Sequence, residues 1–103
     1  MVKKHYKAIR DNIPELIRSE GRDCSVTTLS DTEFLVEIEK KLSEELTEYL
    51  HSKNIDELAD LLEVIYRVAE LKGYTKEELE YLRIGKNKKN GGFQKNLFLL
   101  EIF

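Results

Sequence analysis

The chain has 103 residues, 41% hydrophobic and 36% charged, with a formal net charge of −3. This length suits a single domain, residues 1–103, and the apolar content suffices for a core, which excludes wholesale disorder. No run approaches the roughly 18 apolar residues of a membrane span. The basic start, Met1-Val-Lys-Lys-His-Tyr6, has no apolar stretch behind it, as a secretory signal would. A cytoplasmic setting away from membranes is therefore expected. Cys24 is the only cysteine, and with His5 and His51 it supplies neither a disulfide nor a zinc set.

The charge is unevenly spread. Residues 1–22 carry six Lys/Arg against three acids, residues 23–82 six against sixteen, and residues 83–95 five against none. Two basic ends flank an acidic middle.

In chain order, Asp11 and Asn12 are cap candidates before Pro14, which the first turn of a helix accepts, and Gly21 fits the stop. Asp23-Cys-Ser-Val-Thr-Thr-Leu29 is β-branched and polar, which predicts an extended connector or a short strand. Ser30-Asp-Thr-Glu33 is a capping box, and Phe34, Leu35, Ile38, Leu42, Leu46, Tyr49 and Leu50 recur at helical spacing to about His51. After a break at 52–56, with cap candidates Asn54 and Asp56, Leu58, Leu62, Ile65, Val68 and Ala69 predict a second long helix ending near Lys72-Gly73. Thr75-Lys-Glu-Glu78 is another capping box. Lys86-Asn-Lys-Lys-Asn-Gly-Gly92 reads as a basic loop. The tail Leu97-Phe-Leu-Leu-Glu-Ile-Phe103 is apolar enough to need cover from the core or a partner. The expected fold is all-α: an antiparallel bundle of about four helices with an extended connector and an apolar C-terminal tail.

Placing these residues at about 100° per step shows acids where apolar residues belong. Glu45 falls between Phe34 and Ile38, inside the apolar arc of its helix, and Glu48 falls on the shoulder. Glu57 falls between Val64 and Val68 on the next helix, with Asp60 on the shoulder, while Glu44 faces solvent. Each pair is spaced i,i+3 and shares a face. A short connection makes the two helices neighbours, so the four carboxylates can converge. Converging, partly desolvated carboxylates repel, and a divalent cation relieves the repulsion. All-oxygen ligation favours Mg²⁺, with Mn²⁺ as the alternative. The plainer reading leaves these acids as solvated flanks or pairs them with Lys41, Lys53 or Arg67.

Glu44-Glu-Leu-Thr-Glu48 followed by Glu57-Leu-Ala-Asp60 resembles the E-E-x-x-E … E-x-x-D pattern of the MazG-like, all-α nucleoside triphosphate pyrophosphohydrolases. That superfamily includes dimeric dUTPases and phosphoribosyl-ATP pyrophosphohydrolase. Tyr6-Lys-Ala-Ile-Arg-Asp-Asn-Ile-Pro14 looks like the opening, ending R-D-K-I-P, of a phosphoribosyl-ATP pyrophosphohydrolase-like subgroup. Lys88-Lys-Asn-Gly-Gly-Phe93 looks like its basic segment ending R-G-G-F. Asn12 stands where the subgroup pattern has Lys, and Asn90 where it has Arg.

The resemblance implies Mg²⁺-dependent hydrolysis of a nucleoside triphosphate, or a related nucleotide, to the monophosphate and pyrophosphate. It implies Glu45, Glu48, Glu57 and Asp60 as metal ligands, with Glu44 as an outer-shell or base residue beside Glu45. Lys7, Arg10, Lys86, Lys88 and Lys89 then become candidates for the substrate's phosphates, with Gly91-Gly92 allowing close backbone approach. A homo-dimer or homo-tetramer is implied as well. The alternative is a non-catalytic helical binding or regulatory module that keeps an acidic metal-binding motif. Nucleic acid is not an expected partner, because the acidic middle opposes a broad phosphate-backbone footprint.

Overall fold

Each long helix begins where the sequence satisfies the orphan N–H groups of a first turn. In the computed structural model, which describes residues 3–103, α2 (Asp31–Ser52) opens at Ser30. The Glu33 backbone N–H donates to the Ser30 hydroxyl at 3.2 Å, and the Ser30 N–H donates to the Glu33 carboxylate at 3.1 Å. α4 (Lys76–Asn90) opens on the same reciprocal arrangement at Thr75 and Glu78. α3 (Ile55–Leu71) is capped by Asn54, whose side chain accepts from the Asp56 N–H at 3.0 Å. The short α1 (Ile13–Ser19) has Asn12 at its cap position, without a side-chain bond, and Pro14 in its first turn. No strand forms among the described residues, and the connector 22–30 carries no regular secondary structure. Met1 and Val2 of the basic start lie outside the described residues.

Two residues join α2 to α3. Lys53 ends α2 in the left-handed region (φ +60°), its N–H bonded to the Tyr49 carbonyl at 2.7 Å, and Asn54 at once caps α3. The two helices pack against each other, and α3 meets α4 over a shorter stretch. The core is small. Ile38 of α2, Val64 of α3 and Ala8 of the N-terminal segment are buried together, with Phe34, Leu35, Leu42, Val68 and Leu71 packed around them.

One sequence expectation needs correction. The basic stretch 86–90 is not a loop: Lys86, Lys88 and Lys89 lie in the last turns of α4. Lysine is a good helix former, and cations at a helix C-terminus face the negative end of its dipole. The stop is Gly91, at φ +85°, a conformation costly for any residue with a Cβ. The tail's apolar residues Leu97, Phe98, Leu99, Leu100, Ile102 and Phe103 all lie exposed, so of the two covers expected, core or partner, the core supplies none.

The chain is therefore elongated, 60 × 32 × 24 Å, with a radius of gyration of 18.0 Å. A compact domain of this length has about 13 Å. No helix among the described residues is long and apolar enough to cross a membrane.

Ser30→Ala should lower the urea unfolding free energy by about 1 kcal/mol at neutral pH. The Ser30 hydroxyl and N–H hold the Glu33 carboxyl below its ordinary value of 4.5. Its contribution is therefore full above that value and is lost as the pH falls through the depressed one. The stability gap between the native chain and Glu33→Ala should close over the same acid window.

Candidate metal centre

The Lys53–Asn54 connection brings the last half of α2 beside the start of α3, and with them three acids. Glu45, Glu57 and Asp60 each present a carboxylate oxygen within 4.8 Å of the other two. Glu45 is the chain's only buried charged residue among those described, 6% exposed, which fits its place inside the apolar arc. Glu57 and Asp60 are half-buried.

Glu45 is only partly neutralised. Lys41, one turn earlier on α2, places its ammonium 3.3 Å from Glu45 Oε1. Glu45 Oε2 is buried without any hydrogen-bond partner. A buried acceptor left unpaired costs about 1–3 kcal/mol, and more when charged. An unpartnered oxygen on a carboxylate that clusters with two further carboxylates suits a hard cation with oxygen ligands. The donor set is all oxygen, as hard divalent cations prefer.

The electrostatics are those of crowded acids. Desolvation pushes the Glu57 carboxyl up, and the charges of Glu48, Asp60 and Glu45 push it further. Glu48 therefore acts on the cluster from beside Glu57, although it is exposed and lies outside the group of three. Glu44 is half-buried and sits 3.6 Å from the Lys7 ammonium. Arg10 reaches across from the N-terminal segment and donates through Nη2 to Asp60 Oδ1 at 2.7 Å.

The basic candidates thus divide. Lys7 and Arg10 are brought to the acidic motif, one at Glu44 and the other at Asp60. Lys86, Lys88 and Lys89 stay exposed on α4 and form no ion pair with it among the described residues. The i,i+4 spacing already marks Lys41 as a partner for Glu45. Arg67 goes elsewhere, 3.9 Å from Asp31, and Lys53 lies over the Tyr49 ring. The Arg10–Asp60 contact joins residues fifty positions apart and has no local sequence signal.

No family model and no solved structure matches the chain. A protein of Mycolicibacterium smegmatis that carries the description "uncharacterized protein" is similar over 40 residues at 50% identity, covering 39% of this chain. The match spans 41% of that protein's length. It brings no activity to this chain.

Because the Glu57 carboxyl is raised, the folded chain binds more protons than the unfolded chain just above the ordinary value of 4.5. Stability of the metal-free protein should fall as the pH rises through that window. Glu57→Gln removes the penalty. In chelator at pH 7.5 its Tm should exceed that of the native chain, and the gain should disappear by pH 4 in a thermal melt followed by circular dichroism.

Proposed function

We propose that the protein is a Mg²⁺-dependent nucleotide pyrophosphohydrolase, with its metal centre at Glu45, Glu57 and Asp60 and with Glu48 at its edge. The observation that carries this reading is the buried, unpartnered Oε2 of Glu45 inside the acidic group of three. The motif resemblance to MazG-like enzymes supplies the reaction. A water oxygen attacks a phosphorus of the substrate's polyphosphate, the bridging P–O bond breaks, and pyrophosphate leaves with the nucleoside monophosphate as the other product. A bound Mg²⁺ would lower the pKa of the attacking water and stabilise the charge developing on the phosphoryl oxygens.

The chain's own residues have separate tasks in this scheme. Glu45, Glu57 and Asp60 hold the ion. Glu44, next to Glu45 and outside the group of three, is the candidate acceptor for the water's proton. Lys7 and Arg10 can turn to the phosphates, and Lys86, Lys88 and Lys89 offer a second cationic patch on α4. Mn²⁺ serves in place of Mg²⁺ on the same donor set. A cytoplasmic setting is part of this proposal.

The proposal includes a homo-dimer or homo-tetramer in which antiparallel α2–α3 pairs build the bundle jointly. Surface area supports this. The single chain exposes 9544 Å². A compact monomer of 12.1 kDa exposes about 6,000 Å². Leu46, Leu50, Leu58 and Leu62 on the helix pair, and the whole apolar tail, are part of the excess. That excess exceeds what a standard protein–protein interface buries, about 1,600 Å² over both partners.

A second reading rests on the ion pairs. Lys41 on Glu45 and Arg10 on Asp60 already neutralise part of the cluster, as a helical regulatory module without catalysis would need.

Pyrophosphate release across a panel of nucleotides separates the two readings. The enzyme reading requires Mg²⁺-dependent release that Glu45→Ala and Asp60→Ala each reduce at least a hundredfold, with the helical signal kept. Full activity in both variants rejects it, and no release from any nucleotide favours the regulatory module. Sedimentation at micromolar concentration should show a dimer or larger species, and a monomer contradicts the assembly.

A further inference from the structure

The N-terminal segment lies across the helix pair and is held there at one buried point. Ala8 is enclosed with Ile38 of α2 and Val64 of α3. Two residues later, Arg10 places its guanidinium on Asp60 at 2.7 Å, so a cation of the chain already sits against one of the three clustered acids. Both side chains of this pair are about half open to water. An ion pair so exposed is weak and readily exchanged. Glu57, by contrast, has no ion-pair partner among the described residues, and Glu45 keeps a bare oxygen.

A guanidinium in hydrogen-bond contact with Asp60 does two things. It lowers the repulsion among the acids when no metal is present. It also opposes a divalent ion, because like charges at this separation repel and the carboxylate cannot serve both fully.

We propose that Arg10 is the resident counter-ion of the metal-free site, displaced from Asp60 when a divalent cation binds. The inference rests on the reading of Glu45, Glu57 and Asp60 as a metal centre. Displacement leaves the guanidinium beside the loaded site, tethered through Ala8, where it can take a phosphate oxygen of the substrate. Metal loading and substrate capture are then linked through one side chain: the ion that makes the acidic site tolerable to phosphate also releases the arginine that binds it. A guanidinium that merely oriented Asp60 for the metal would behave in the opposite way, because removing it would weaken metal binding.

Mn²⁺ titration of the full chain at low ionic strength, read by calorimetry and by the loss of free-ion electron paramagnetic resonance signal, tests this. Arg10→Ala should bind Mn²⁺ about two- to fivefold more tightly than the native chain, the range expected for release of an exposed ion pair. Arg10→Lys, which keeps the charge, should stay within about twofold of native. The advantage of Arg10→Ala should shrink as salt is raised. If Arg10→Ala loses helical signal, Arg10→Gln makes the same comparison with a polar side chain. Equal or weaker Mn²⁺ binding in the neutral variants overturns the proposal while leaving the metal centre standing. Absence of Mn²⁺ binding in the native chain overturns both.

Discussion

A carboxylate enclosed by apolar side chains must find partners for both oxygens or be costly to the fold, and Glu45 has a partner for only one. Its position is not accidental to the helix that carries it. It lies on the face of α2 that also buries Ile38, so α2 cannot pack on α3 without carrying the acid inward. The cap-to-cap connection at Lys53 and Asn54 sets where along α3 that acid arrives, which is beside Glu57 and Asp60. Helix packing, the short connection and the acidic group are thus one constraint. Moving Glu45 outward would require turning α2 away from its own core residues.

The remainder of the chain can be read as responses to that concentration of negative charge. Lys41 compensates from within the helix, and Arg10 and Lys7 compensate from the N-terminal segment pinned by Ala8. None of these three pairs satisfies Glu45 Oε2. The elongated shape is the other consequence of a small core. With three buried apolar residues among those described and a tail of bare Leu, Ile and Phe, the single chain leaves much apolar surface in water, which association would remove.

Much of this is legible in the sequence because it is local. The capping boxes at Ser30 and Thr75 fix two helix starts through contacts three residues apart, and both form. The burial of Glu45 follows from helical periodicity, because the face that carries Phe34 and Ile38 also carries it. The residues at 86–90 misled because a lysine- and asparagine-rich stretch before two glycines looks like a loop, while the preceding turns of α4 carry the helix through it to Gly91. The Arg10–Asp60 pair was illegible for a different reason: its partners meet only after Ala8 docks on Ile38 and Val64, a tertiary event with no periodic trace. Nor does composition reveal that the tail lies free, since an apolar heptapeptide signals the need for cover and not its source.

In the proposed metal centre, the oxygen left bare on Glu45 is a ligand position. Crystals of the protein grown with Mn²⁺ and measured at the manganese absorption edge test it most directly. An anomalous peak is expected between α2 and α3, in contact with Glu45 Oε2 and with carboxylate oxygens of Glu57 and Asp60. Full-occupancy manganese elsewhere with that position empty, or a Lys or Arg seated on Glu45 Oε2 in its place, would contradict it.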